Sequence, residues 1–179
     1  QVFSTSKSDE VALATSNRHQ NKVDILKVNT SNGAVSKLIS ETDNAWIETD
    51  GMTLEFLDDN SFLWASERSG FRHLYWFDAK GNLKKPVTKG NWEITDYYGF
   101  NPKTKEVFIQ TTEKGSLNKV VSKVNISNGK MTLLSQAEGN NRADFSKNYQ
   151  YFIETSSTAN KPYVYTLKDG SGKSLKELQ

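Results

Sequence analysis

The sequence has 179 residues, with 23 Lys and Arg against 21 Asp and Glu for a net charge of +2, and no cysteine. Mixed, nearly balanced charge excludes the basic stripe of a nucleic-acid binder, and the lack of cysteine excludes disulfide staples, thiolate zinc sites and cysteine nucleophiles. Nine Phe, seven Tyr and four Trp beside three Pro do not suit a disordered chain. Apolar runs such as Leu74-Tyr75-Trp76-Phe77 fall far short of the ~20 residues of a membrane-spanning helix.

Apolar and aromatic runs separated by Asn, Asp, Gly and Ser predict short strands. No stretch keeps a helical apolar stripe for three turns, so no substantial helix is expected. Taken along the chain, the strands come in quartets: 2–4, 11–15, 23–26 and 34–39; then 52–56, 61–65, 73–77 and 82–87; then 94–98, 107–111, 120–124 and 130–134; finally 143–145, 151–155, 163–167 and 173–178. An Asx-containing turn with glycine lies between the third and fourth runs of each quartet, and its glycines at 33, 81, 129 and 170 are spaced by 48, 48 and 41.

Four strands per ~45 residues, four times over, predict β-propeller blades. The middle runs, Phe62-Leu63-Trp64 and Leu74-Tyr75-Trp76-Phe77, read as strands covered on both faces. The fourth runs carry the Lys and Pro that blunt an exposed edge: Lys84, Lys85 and Pro86 on one, Lys173, Lys176 and Glu177 on another. The alternative, a β-sandwich, gives no reason for buried and edge strands to repeat in the same order. The expected fold is therefore all-β, a partial propeller that reads as half of an eight-bladed ring, with blades near 1–40, 46–88, 92–135 and 142–179. The sequence opens on Gln1 and closes with the fourth quartet, so it reads as a segment of a longer precursor. Half a ring leaves two blade faces bare, and pairing with a second copy is the expected way to cover them.

Several segments resemble the dipeptidyl peptidase IV branch of the prolyl oligopeptidase superfamily. The stretch from Phe62 through Trp64, Glu67, Arg68 and His73 to Tyr75 is similar to the family hairpin W-x-S-E-R-D-G-[WFY]-x-H-L-Y. Val87 to Ile94, with Trp92, is similar to L-T-x-G-x-W-[ED]-V. Asn17-Arg18-His19-Gln20-Asn21 resembles N-R-x-Q-N, and Trp46-Ile47-Glu48 resembles the aromatic turn into the next blade. These matches fall in order over residues 11–94, and the later blades agree in pattern only. Dipeptidyl and tripeptidyl peptidases share such blades. The resemblance implies a propeller that caps and gates an α/β-hydrolase domain of the same chain. That domain releases N-terminal dipeptides or tripeptides after Pro or Ala from peptide substrates, in a periplasmic or secreted protein.

Asn17, Arg18, Trp46, Glu67, Arg68, His73 and Trp92 are the motif residues, and a structural role is expected for them. Ser69-Gly70 predicts a tight turn, with a Glu67 carboxylate facing Arg72 or His73 across the hairpin. In the family a glutamate pair on a propeller insertion anchors the substrate amino terminus; the sequence has no adjacent Glu-Glu, so no anchoring acid carries over. An aromatic-arginine loop of some members falls where Ile47-Glu48-Thr49-Asp50 stands, and that departure removes its substrate contact.

No catalytic residue, metal or cofactor is expected. The G-x-S-x-G elbow of the superfamily is absent, and neither His19 nor His73 has a nucleophile turn in its pattern. Gly170-Ser171-Gly172-Lys173-Ser174 ends like a phosphate loop, yet Leu167 stands where the motif needs glycine. Asp58-Asp59-Asn60 reads as a solvated turn rather than a calcium loop. Asn29-Thr30-Ser31 and Asn125-Ile126-Ser127 are sequons at turns. Two other readings stay open. One is a TolB-like propeller that only binds partners; the other is a propeller hydrolase or lyase using Glu55, Asp96 and Asp144 on innermost strands. A G-x-S-x-G downstream in the precursor discriminates the peptidase from the binding module.

Overall fold

β-Branched and aromatic runs punctuated by Asx turns give sixteen strands in a computed structural model that describes residues 1–49 and 51–178. The first sheet holds β1 (Val2–Ser4), β2 (Glu10–Ser16), β3 (Lys22–Asn29) and β4 (Val35–Thr42). The second holds β5 (Leu54–Phe56), β6 (Phe62–Ser66), β7 (His73–Phe77) and β8 (Leu83–Pro86). The third holds β9 (Ile94–Asn101), β10 (Glu106–Thr111), β11 (Val120–Asn125) and β12 (Met131–Leu133). The fourth holds β13 (Asn140–Phe145), β14 (Tyr151–Thr158), β15 (Lys161–Asp169) and β16 (Ser174–Leu178). Each is a four-stranded meander in chain order, with antiparallel neighbours, the form of a propeller blade. No described residue is helical.

The chain divides into two compact units: Gln1–Gly70 with Leu74–Pro86, and Phe71–His73 with the chain from Val87 onward. In the first unit small residues on one sheet meet large ones on the other. Ala12, Ala14, Val23 and Ile25 pack in one cluster with Leu54, Phe62, Trp64, Tyr75 and Phe77. Phe62 is fully buried, stacked on Phe77 with centroids 5.1 Å apart and tilted against Phe56 at 5.4 Å. Such small-to-large matching lets two pleated faces close to crystal-like density.

The second unit uses aromatics from both sheets. Phe108, Val121 and Leu134 cluster with Ala143 and Phe152, with Tyr98, Phe145 and Tyr149 packed against them. The ring of Phe108 stacks on Tyr149 at 4.4 Å. Polar ties run beside the rings. The Gln110 amide donates to the Asn141 carbonyl, and the Asn141 amide donates to the Lys119 carbonyl at 2.9 Å and the Glu138 carbonyl at 3.0 Å.

The Asx turns between third and fourth strands follow the sequence repeat in three sheets and shift in one. Glycines 33, 81 and 129 have φ of 71°, 88° and 73°. In the fourth sheet the left-handed residue is Gly172, φ 89°, and not Gly170. The reason is the Asx anchor. Asp169 accepts from the amides of Ser171 and Lys173, as Asp78 accepts from Lys80 and Asn82, and glycine stands three residues after each. The phosphate-loop-like segment is thus a hairpin turn. The Asn29 and Asn125 carboxamides of the two sequons serve the same purpose, each accepting from the amides two and three residues on.

Candidate functional site

The first unit gathers its motif residues around one carboxylate. β4 ends by placing Glu41 against β6 and the hairpin after it. The Glu41 carboxylate accepts from Trp64 Nε1 at 2.7 Å, from Ser66 Oγ, and from Arg68 Nη2 at 2.9 Å. Ser66 Oγ in turn accepts from Arg68 Nε at 2.9 Å. The guanidinium lies over Tyr75 at 4.8 Å and Phe77 at 5.2 Å, and the Tyr75 hydroxyl donates to Ser69 Oγ at 2.8 Å. Arg68 is therefore held through its fork and over two aromatic rings, a geometry lysine cannot copy. Glu67 is exposed, and its carbonyl accepts from Gly70 N at 2.7 Å across the tight turn.

Asn17 closes the β2–β3 hairpin. Its Oδ1 accepts from the amides of Asn21 and Lys22, and its Nδ2 donates to Asn21 Oδ1 at 2.8 Å. Gln20 then turns with φ 53°, and its carbonyl takes the Ile47 amide at 2.7 Å. Ile47 packs on the core, while Trp46 beside it is 53% exposed. Arg18 is exposed and makes no ion pair with a described residue. The loop position expected at 47–50 includes Asp50, which lies outside the described residues.

In the second unit His73 is 1% exposed, with Nδ1 3.0 Å from Thr88 Oγ1 and Nε2 3.0 Å from the Gly90 carbonyl. A carbonyl only accepts, so Nε2 carries the proton and Nδ1 accepts from the Thr88 hydroxyl. The Trp92 ring meets the imidazole edge-on at 4.8 Å. Both ring nitrogens of His73 are thus taken by the 87–92 connector and not by Glu67, for which Arg72 or His73 was the expected partner. Gly90, at φ 143°, has no room for a side chain: a Cβ would lie 2.3 Å from Trp92 Nε1. We expect Gly90→Ala to lose roughly 2 kcal/mol of stability from backbone strain and displaced Trp92. A lowered urea midpoint together with shifted His73 ring resonances checks this.

Two of the cavities among the described residues lie within the second unit. One, about 460 Å³, is lined by Asp96, Tyr98, Arg142, Asp144, Tyr163 and Tyr165. Burial, reinforced by the charge of Asp96, pushes the Tyr98 hydroxyl well above the ordinary tyrosine range; it accepts from the Ala143 amide at 3.3 Å. The other, about 650 Å³, lies among the turns of β9–β10, β13–β14 and β15–β16. Among the described residues no group of three His, Asp or Glu is arranged to hold a metal.

Of the three innermost-strand acids, Asp96 and Asp144 line one cavity, while Glu55 stands on β5 in the first unit. Burial raises the Glu55 carboxyl above its ordinary 4.5. The folded state then holds its proton to higher pH than the unfolded state, so charging the group opposes folding at neutral pH. Glu55→Gln is expected to stabilise the protein at neutral pH. Its advantage should shrink as pH falls through the raised value toward 4.5, read from paired urea titrations.

Two features escaped sequence reasoning. Glu41 lies 23 residues before Trp64 and 27 before Arg68, so only the packed sheets reveal the shared carboxylate. The second is the buried pair Glu154 and Lys168, brought together across β14 and β15 with Oε2 and Nζ 2.7 Å apart.

Two antiparallel quartets per unit, buried middle strands and lysine-bearing outer edges define blades of a β-propeller. The model of the dipeptidyl peptidase IV (DPP IV) N-terminal region matches residues 2–163, and the chain belongs to that family. It is similar to the crystal structure of Porphyromonas gingivalis dipeptidyl peptidase 4, with TM-score 0.90 and 31% identity over 99% of this chain and 25% of that one. It is 28% identical to dipeptidyl peptidase 4 of Trichophyton equinum over 97% of this chain and 23% of that protein. For dipeptidyl peptidase 4 of Arthroderma otae the figures are 28%, 92% and 22%. The chain thus spans about a quarter of the length of these relatives. No helix among the described residues is long and apolar enough to cross a membrane.

Proposed function

We propose that the chain is the non-catalytic propeller segment of a serine exopeptidase. In this reading it caps and gates an α/β-hydrolase site that releases N-terminal dipeptides, or tripeptides, after Pro or Ala. The observation that carries this is the family match over residues 2–163, on a chain in which the motif residues Arg68 and His73 are held in structural contacts. Arg68 is locked by Glu41, and both His73 nitrogens are spent on the connector. A rigid cap needs such fixed hairpins: it selects substrates by size, admitting short or loose peptides and excluding folded ones. The periplasmic or secreted setting, and the place of these blades as half of an eight-bladed ring, rest on the family resemblance.

The fourth sheet supports a covered face. Ile153, Tyr163 and Tyr165 are 36%, 64% and 47% exposed. On the third sheet Phe108 and Val121, which sit at the positions of Ile153 and Tyr165 in the matching strand register, are at most 1% exposed. In the isolated chain a second copy covers that apolar face; in the whole protein another blade does. The test is the full-length gene product. A G-x-S-x-G elbow after a strand downstream, whose serine is required for dipeptide release, supports the reading; its absence favours a propeller that only binds partners.

A further inference from the structure

The 650 Å³ cavity of the second unit is the strongest feature that the propeller role leaves unused. Three adjacent turns build it. The β9–β10 turn supplies Lys103, the β13–β14 turn Lys147 and Tyr149, and the β15–β16 turn Gly170, while Phe100, Glu106 and Lys123 line it from β9, β10 and β11. Three lysines face one glutamate in this lining. Glu106 is already committed: its carboxylate lies 3.3 Å from Lys123 Nζ, which also donates to the Gly170 carbonyl at 3.3 Å. Lys103 and Lys147 are exposed, come from different sheets, and form no ion pair with a described residue. Their charge is uncompensated at the cavity.

The aromatic wall is the second observation. Tyr149 has φ 57°, and the corresponding turn residues of the second and third sheets, Asn60 and Lys105, share that conformation at 62° and 56°. Asparagine visits this region readily, whereas a bulky aromatic adopts it only under strain. Here tyrosine is held by stacking on Phe108 at 4.4 Å. Its hydroxyl sits against Gly99, where a Cβ would come within 2.0 Å of it. The backbone strain and the close approach together fix a phenol ring in the cavity lining, which Phe100 shares. A volume of this size suits a metabolite-sized ligand.

From this juxtaposition we infer that the cavity is a binding site for an organic dianion, a phosphate monoester or a dicarboxylate carried on an apolar or aromatic skeleton. Lys103 and Lys147 hold the charged group, one from each sheet, and Phe100 and Tyr149 line the space for the apolar part. A bound dianion bridges the two turns and ties one blade to the next.

The test is a titration of the chain followed by amide NMR shifts, with phenyl phosphate and phthalate as probes and benzyl alcohol as the neutral comparison. Saturable shifts confined to residues 101–106 and 147–150 are expected with at least one dianion. Phenyl phosphate alone identifies the phosphate monoester; phthalate alone identifies the dicarboxylate. The Lys103→Glu/Lys147→Glu double variant should lose affinity about tenfold or more. The exposed control pair Lys80→Glu/Lys130→Glu, with the same net charge, should not. Circular dichroism identical to the parent shows that the variants fold. Absence of saturable shifts with both dianions, equal binding by benzyl alcohol, or equal losses in the two double variants overturns the site.

Discussion

Replacing Glu154 with alanine is expected to cost about 3–5 kcal/mol, the penalty for leaving a buried cation alone. Glu154 is 0% exposed on its side chain and Lys168 6%, with Oε2 and Nζ 2.7 Å apart. They are diagonal neighbours across β14 and β15, since Phe152 opposes Lys168 and Glu154 opposes Thr166. Each also reaches the end of the third sheet: Glu154 Oε1 accepts from the Gln136 amide at 3.0 Å, and Lys168 Nζ donates to the Leu134 carbonyl at 3.2 Å. The pair therefore joins two blades as well as two strands. Removing one partner leaves the other dehydrated, whereas removing both does not. The Glu154→Leu/Lys168→Met double variant should recover most of the loss, because apolar residues of similar volume satisfy the same space without desolvating charge. Urea unfolding of the two single variants and the double one checks this; additive losses would contradict a coupled pair.

Phe62→Ala is expected to cost a similar 3–5 kcal/mol in the first unit, through lost apolar burial and the cavity left behind. The ring is fully buried and lies between Phe56 and Phe77, in the cluster that holds Ala12 and Ala14 of the facing sheet. Those alanines cannot expand to fill the gap, so little relaxation is available. Phe62→Leu should cost clearly less, and a fluorescence-detected unfolding series of both variants measures the difference. Equal losses would mean that contacts of the ring itself, rather than volume, decide the packing.

The blade pattern was readable because burial writes itself into local sequence. β6 and β7, covered on both faces, hold nearly continuous apolar runs, while β8 and β16 carry lysine along an exposed edge. β14 alternates buried and exposed residues, as a strand with one open face must. The turn of the fourth sheet was misplaced by two residues because it offers Gly170 and Gly172, and only the Asp169 anchor decides between them. The motif residues were found, but their partners were not. Glu41 meets Arg68 from another sheet, and Thr88 meets His73 from the connector. Register and sheet stacking set such pairings, and neither is written in local spacing.

The most direct measurement of the central claim compares release of Gly-Pro from a chromogenic dipeptide substrate by the purified chain and by the full-length gene product. Turnover by the full-length product and none by this chain at equal concentration is the predicted result. Turnover by the chain alone, removed by substitution of a residue within it, would contradict a scaffold role.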